Sequence, residues 1–211
     1  MTLPIALGPS WLDPEVLIET FGMLGVLAIV FVESGLLVGF FLPGDSLLFT
    51  AGLLSANGTL PDLWVLLVTI PIAAIAGDQV GYAIGRKAGP AIFNRPDSRF
   101  FHRENVDRAQ EFFDRHGPRT IILARFVPIV RTFVPVVAGV ARMDYRTFLT
   151  YNIVGGVLWG VGVTTLGYFL GQVEVIEANI EFVLIAIVGI SFVPVAIEVL
   201  RSRRRARAAA R

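Results

Sequence analysis

The sequence predicts an all-α polytopic membrane protein: an inverted repeat of two re-entrant helical hairpins, about three full transmembrane helices and a cytoplasmic amphipathic helix. Hydrophobic residues make up 55% of the 211 residues, and the mean hydropathy is +0.69. Ordinary soluble domains are less apolar than this. Two hydrophobic runs, 21–54 and 124–139, are interrupted by prolines and charged residues. Such interruptions are typical of irregular backbone that is buried in protein or lines a wet cavity at membrane depth.

The distribution of positive charge predicts which segments face the cytoplasm. No lysine or arginine precedes Arg86, and most of the cations cluster in residues 86–119, at Arg142 and Arg146, and in residues 201–207. The positive-inside rule places all of these clusters in the cytoplasm. We therefore assign residues 1–200 to a single transmembrane domain and 201–211 to a basic cytoplasmic tail. No folded basic face is predicted, so we expect no nucleic-acid binding.

Three apolar segments are long enough to cross the membrane. Residues 63–85 end at the first basic cluster and therefore run toward the cytoplasm. Residues 147–170 lead away from it, and residues 182–200 return to the arginine tail, which makes the C-terminus cytoplasmic. No cleaved secretory signal is expected, because no positive charge precedes the first apolar stretch, 21–32.

The first interrupted run, 21–54, contains two carboxylates, Glu33 and Asp45, on either side of Pro43-Gly44. This Pro-Gly pair is expected to break a helix, and Asp45 is placed to begin the next one. If the run is a hairpin, it opens to the outside, and the N-terminus also lies outside. If the run crosses the membrane once, the N-terminus is cytoplasmic.

The second interrupted run, 124–139, contains Arg125, Arg131, Pro128 and Pro135. An arginine at bilayer depth costs roughly 2.5–3.5 kcal/mol, and a proline inside a helix costs about 3 kcal/mol. Both prolines are therefore expected to be breaks in the helix. Because cytoplasmic cations flank the run on both sides, it must enter and leave the membrane on the same side. The sequence predicts a re-entrant hairpin.

An amphipathic helix is predicted at residues 103–116, before the second hairpin. Its apolar positions are Val106, Ala109, Phe112 and Phe113. Gly117-Pro118 ends it. The helix either lies at the cytoplasmic membrane surface or packs on the protein's own helices.

An internal repeat supports the two hairpins. Ala51-Gly52 is followed about thirty residues later by Gly-Tyr-x-x-Gly at 81–85, and Ala138-Gly139 is followed at nearly the same distance by Gly-Tyr-x-x-Gly at 167–171. Because the two following spans run in opposite directions, the repeat is inverted. Inverted repeats with broken helices are typical of transporters.

Four charged residues carry the predicted chemistry: Glu33, Asp45, Arg125 and Arg131. The arginines are candidates to bind phosphate, because a guanidinium donates paired hydrogen bonds that match it. The carboxylates are candidates to carry protons, as acids do in proton relays within membranes. The alternative is that the four residues form buried ion pairs that hold the hairpins together.

Other polar positions carry weaker signals. Asp78 is a secondary candidate for a proton site, with a structural contact to Arg86 or to a hairpin backbone as the alternative. Asn152 fits an interhelical hydrogen bond, and Trp159 fits bundle packing or an interface anchor. No metal-ligand spacing, phosphate-binding glycine loop or nucleophile motif occurs. We expect no metal, no cofactor and no enzymatic activity.

These motifs closely resemble the DedA family of bacterial inner-membrane proteins, relatives of the eukaryotic VTT-domain (SNARE-associated) proteins. The resemblance covers roughly residues 15–200. It is carried by Glu33 with Phe41-Leu42-Pro43-Gly44-Asp45, by Gly77-Asp78-x-x-Gly-Tyr-x-x-Gly-Arg-x-x-Gly89, by Arg125-Phe-x-Pro-x-x-Arg131-Thr-Phe, and by Ala138-Gly139. The family's essential acidic pair and arginine pair correspond to Glu33, Asp45, Arg125 and Arg131.

The resemblance implies a membrane protein that flips a polyprenyl phosphate, undecaprenyl or decaprenyl phosphate, across the bacterial inner membrane, coupled to protons. Its partners would be a lipid with a phosphate headgroup and protons, and the protein could form a homo-oligomer. The alternatives are a proton-dependent ion or small-solute antiporter, a phospholipid scramblase, and a membrane assembly factor without transport activity.

Overall fold

A computed structural model describes residues 14–36, 44–93 and 117–172, together with Glu111 and Phe113. Its helices are α1 (Pro14–Gly35), α2 (Gly44–Ala56), α3 (Leu63–Phe93), α4 (Arg119–Ala124), α5 (Pro128–Val140) and α6 (Tyr145–Gly171). The described part is thus all-helical, as predicted. The third predicted span, the basic tail, Pro43 and most of the predicted amphipathic helix lie outside the described residues.

Two helices are long and apolar enough to cross a membrane. Within α3 the candidate span is Leu63–Ala88, with a mean hydropathy of 1.8, and the whole of α6 is a second, with 1.7. They agree with the predicted spans 63–85 and 147–170. Asp144 caps α6 by accepting a hydrogen bond from the backbone N–H of Thr147, at 2.9 Å. Large apolar side chains such as Leu158 and Phe169 point outward from α6, as lipid-facing residues do.

The first interrupted run forms two helices, α1 and α2, that pack against each other. α1 ends at Gly35 and the described part of α2 begins at Gly44, in agreement with the break predicted at Pro43-Gly44. Nearly all of α2 is buried in the bundle. A second, unpredicted interruption lies within α1 at Gly22, whose φ of 58° is in the left-handed region that glycine adopts without strain. That α1 and α2 turn back within the membrane stays a prediction.

The second interrupted run begins at the last residue of α4, and residues 125–127 separate α4 from α5, which holds most of the run. Pro128 is the first residue of α5, where its missing N–H costs nothing, so the break predicted there is confirmed. The break predicted at Pro135 is wrong, because Pro135 lies inside α5. Only one helical hydrogen bond is lost at Pro135, and its ring is buried against α3. The contact is close: a Cβ added at Gly81 would be 3.3 Å from Pro135 Cβ.

The glycines of the internal repeat mark two helix crossings. A Cβ at Gly52 on α2 would collide with the backbone of α6, and one at Gly167 on α6 would collide with the backbone of α2. Gly139 on α5 and Gly85 on α3 are related in the same way. Each Ala-Gly helix therefore packs on the Gly-Tyr-x-x-Gly helix of the other repeat unit. The two units interlock, and the close approach requires residues without a side chain.

Phe113 belongs to the predicted amphipathic helix, and the residues on either side of it lie outside the described part of the chain. It is buried in an apolar cluster that includes Ile121 and Phe148. At this position the structure favours packing on the protein's own helices over the membrane surface.

Replacing Gly167 with alanine is expected to lower the free energy of unfolding by about 1–3 kcal/mol, the usual range for overpacking. The added methyl group would overlap the backbone of Phe49 on α2. Gly162→Ala on the same helix is the matched control, because nothing lies within 4 Å of its Cβ position. The measurement is the apparent melting temperature of both variants in detergent. Equal melting temperatures would contradict the helix crossing.

Candidate functional site

Five ionisable side chains meet in the interior of the bundle. Glu33, Asp78, Arg125 and Arg131 are all buried, at 3%, 4%, 5% and 8% exposure. Asp45 is the most accessible, with 20% of its side chain exposed. All five were singled out in the sequence, and they come from five different parts of the fold. Buried charges of this kind need partners, because leaving water costs each of them several kcal/mol.

Arg131 on α5 joins the two interrupted runs. Its Nη1 donates a hydrogen bond to Asp45 Oδ1 at 2.6 Å, and its Nη2 donates to Glu33 Oε1. Both contacts are also ion pairs. One guanidinium therefore connects α5 with α1 and α2 at the same time. This arrangement uses the fork of donors that distinguishes arginine from lysine.

Trp159 on α6 completes this group, which we call the Arg131 cluster: Arg131, Glu33, Asp45 and Trp159. The indole Nε1–H donates to Asp45 Oδ1 at 2.7 Å, the same oxygen that Arg131 uses. The Arg131 Cζ lies 4.7 Å from the centroid of the indole ring, within cation–π distance. The sequence interpretation as bundle packing missed this contact. The signal in the sequence that could have indicated this contact is the position of Trp159, between Gly156 and Gly160.

Arg125 forms a separate group, the Arg125 cluster, with Asp78 of α3 and Asn152 of α6. Its Nη2 donates to Asp78 Oδ2 and, at 2.6 Å, to Asn152 Oδ1. Asn152 Nδ2 in turn donates to the carbonyl oxygen of Ile75, at 3.4 Å. Asn152 thus makes the interhelical hydrogen bond that was predicted for it. Asp78 contacts Arg125 rather than Arg86.

Two features make room for the Arg125 side chain. Arg125 is the C-cap residue of α4, in the break that leads to α5. There it crosses Gly155 and Gly156: a Cβ at Gly155 would be 3.0 Å from Arg125 Cδ, and one at Gly156 would be 3.4 Å from Nη2. Arg86, the other candidate partner of Asp78, instead donates to the Tyr82 hydroxyl at 2.8 Å. The two buried arginines therefore belong to different ion-pair groups.

The two groups together hold more negative than positive charge. When all members are ionised, two guanidinium groups face three carboxylates, which leaves one negative charge in excess. Glu33 Oε2 is buried against Gly44 at the start of α2. Arg125 Nε is buried without a hydrogen-bond partner in the described part of the chain. The site is chemically suited to accept a proton on a carboxylate, or an anion on an arginine that a carboxylate has released.

Comparisons with known proteins place the chain among membrane proteins. Residues 42–169 match the family model of the VTT domain. An uncharacterized membrane protein of Mycobacterium leprae is 48% identical over 195 residues, which are 92% of this chain and 87% of that protein. Protein DedA of Escherichia coli is 46% identical over 184 residues, which are 87% of this chain and 84% of that protein. No solved structure gives a significant match.

The matched region contains four of the five charged residues of the two clusters. Asp45, Asp78, Arg125 and Arg131 all lie inside it, whereas Glu33 precedes its first residue. Trp159 also lies inside it. The Arg131 cluster therefore draws Glu33 from a segment before the region that defines the family match.

Proposed function

The chain belongs to the DedA family of VTT-domain membrane proteins, and from this premise we propose that it moves the phosphate headgroup of a polyprenyl phosphate across the bacterial inner membrane. The lipid is undecaprenyl or decaprenyl phosphate, and movement is coupled to protons. The observation that carries the proposal is the Arg131 guanidinium, which is held inside the bundle by two carboxylates from other helices. Phosphate and carboxylate bind a guanidinium through the same paired hydrogen bonds.

The mechanism exchanges one anion for another at the arginines. Protonation of Glu33 and Asp45 removes their negative charge and frees both Arg131 donors. A phosphate monoester with a charge of about −1.5 to −2 then replaces them. Two protons and one phosphate thus leave the charge of the buried site nearly unchanged. Arg125 binds the phosphate in the same way, after its hydrogen bond to Asp78 is broken.

The proposed route requires no covalent chemistry, so the protein acts as a transporter and not as an enzyme. The paired helices α1–α2 and α4–α5 form re-entrant hairpins that bring the arginines to the middle of the membrane. Inverted pairs of broken helices serve this purpose in other transporters. The C-terminus is cytoplasmic in this arrangement, since the arginine clusters follow the positive-inside rule.

The test is transport in liposomes that contain undecaprenyl phosphate. An impermeant phosphatase added outside removes phosphate only from lipid in the outer leaflet. Liposomes with the protein should lose more phosphate than empty liposomes do, and faster when the pH gradient drives protons in the direction of transport. Phosphate loss that is the same with and without the protein would refute the proposal.

One observation favours a second candidate, a proton-dependent ion or small-solute antiporter. Both buried arginines already have carboxylate partners, so they need no further anion in this state. In an antiporter the carboxylates would carry protons, and the arginines would only pair with them. Heating with added ligand separates the two candidates. Undecaprenyl phosphate should raise the melting temperature of a flippase, whereas an inorganic ion should raise that of an antiporter.

Asp45→Asn is expected to remove the acceleration of transport by a pH gradient. The asparagine oxygen can still accept hydrogen bonds from Arg131 and Trp159, but the side chain can no longer gain or lose a proton. Transport rates are compared with and without the gradient. Asp62→Asn, at an exposed carboxylate before α3, is the matched control. A full response to the gradient in Asp45→Asn would exclude Asp45 as a coupling residue.

A further inference from the structure

A groove leads from the Arg131 cluster along the outer surface of α6. Its volume is about 190 Å³. Phe49 of α2, Phe126 of the α4–α5 turn, and Val163 and Leu166 of α6 line it, and Asp45 and Trp159 close one end. Leu166 is 60% exposed and Phe126 is 52% exposed. In the membrane arrangement proposed above, the open side of the groove faces hydrocarbon, because α6 is a candidate membrane span.

The closed end of the groove is polar. The Asp45 Oδ1 atom there accepts one hydrogen bond from Trp159 and one from Arg131, at 2.7 and 2.6 Å. The indole ring of Trp159 also stacks on the Arg131 guanidinium. Two donors, one of them charged, therefore converge on a single oxygen where the apolar walls end. An anion that displaced this oxygen would meet both donors at once.

We propose that this groove binds the first part of the hydrocarbon chain of a lipid with a phosphate monoester headgroup. Trp159 Nε1–H and Arg131 Nη1–H transfer their hydrogen bonds from Asp45 to a phosphate oxygen as the lipid enters. This inference rests on the proposed function and adds where the substrate lies. Trp159 becomes a headgroup-binding residue, and Val163 and Leu166 become chain-binding residues.

The order of chemical groups along the groove supports a phosphate lipid as its occupant. In such a lipid, a phosphate with several acceptor oxygens is joined directly to an apolar chain. The groove offers two hydrogen-bond donors at one end, followed by apolar walls. Bulk phospholipids differ, because a glycerol backbone with two ester groups separates their phosphate from their chains. The volume is below the roughly 300–1,000 Å³ of a pocket that encloses a whole small molecule. Only the start of the chain is held, and the rest stays in the bilayer.

Native mass spectrometry of the full chain tests the groove with undecaprenyl phosphate, undecaprenol and phosphatidylglycerol. Val163→Trp fills the groove and should weaken binding of both polyprenyl lipids about tenfold, as expected when a few methylene groups lose their contact. Val157→Trp is the matched control on the same helix: its side chain is 42% exposed and does not line the groove. It should bind as the wild type does.

Trp159→Phe tests the headgroup end separately. The phenyl ring still covers the guanidinium, but the indole N–H is lost. Binding of undecaprenyl phosphate should fall, while binding of undecaprenol, which has no phosphate, should not change. An equal loss of binding for undecaprenyl phosphate and undecaprenol would overturn the assignment of Trp159 to the headgroup.

The outcomes separate this inference from the proposed function. If the wild type transports undecaprenyl phosphate and Val163→Trp binds it as tightly as Val157→Trp does, the groove assignment is wrong and the proposed function stands. If phosphatidylglycerol binding falls as much as that of the polyprenyl lipids, the groove holds bulk lipid chains, and the inference is overturned. If the wild type shows neither selective binding nor transport, the proposed function itself fails.

Discussion

Replacing Arg131 with lysine is expected to reduce transport of undecaprenyl phosphate about a hundredfold, although the positive charge is kept. Arg131 donates to Asp45 and Glu33 through different nitrogens and stacks on Trp159. A lysine ammonium is a compact charge and cannot make all three contacts from one position. Loss of one hydrogen bond between charged groups costs about 1.5–3 kcal/mol, and each 1.36 kcal/mol of barrier is a factor of ten in rate.

The control for this variant is Arg146→Lys, because Arg146 is exposed at the start of α6. Transport in liposomes and melting temperature are measured for both variants. Arg131→Lys should assemble in the membrane with a lowered melting temperature, while Arg146→Lys should match the wild type in both measurements. Normal transport by Arg131→Lys would show that charge alone suffices, and it would remove paired phosphate binding from the mechanism.

Replacing Asp78 with asparagine is expected to cause the largest loss of stability, about 3–5 kcal/mol. That is the range observed when one partner of a buried ion pair is removed and the other charge stays behind. Arg125 would remain buried between α3 and α6 with Asn152 as its only partner seen in the described residues. The free energy of unfolding is measured with denaturant in detergent.

The double variant Asp78→Leu/Arg125→Met removes both charges and keeps similar side-chain volumes. It should be more stable than Asp78→Asn, since replacing a whole buried ion pair with apolar residues is often neutral or stabilising. Its transport activity should be lost, because Arg125 is proposed to bind phosphate. A double variant that is stable and still transports the lipid would leave Arg125 with a structural role only.

The sequence by itself determined the class of protein and singled out the five charged residues of the candidate site. Apolar length predicted most of α3 and most of α6, because a segment of about 20 apolar residues needs no partner to be recognised as a span. Buried charge predicted Arg125 and Arg131, because a charged residue in an apolar run is costly wherever it packs. The repeated glycine motifs predicted an inverted repeat, and the structure shows that these glycines lie at helix crossings, where only a missing side chain lets two helices approach so closely.

The tertiary structure decided which of these residues meet. Pairing depends on the rotation and crossing of helices that are far apart in the chain, so sequence spacing could not assign Arg131 to Glu33 and Asp45, or Arg125 to Asp78. Trp159 acquires its role only because α6 packs against α2, which brings the indole N–H to the same carboxylate oxygen that Arg131 uses.

Pro135 shows the same limit of sequence-based prediction, because a break that the sequence predicts does not occur in the structure. The intrinsic preference of proline predicted a break, and the helix continues because its ring is buried against α3 at Gly81. Local chemistry was sufficient to find the charges and the break before α5, but it also predicted a break at Pro135 that does not occur and missed the interruption at Gly22. Contacts between distant segments decided which charges are neutralised and which breaks are realised, because those free energies arise only when the helices pack.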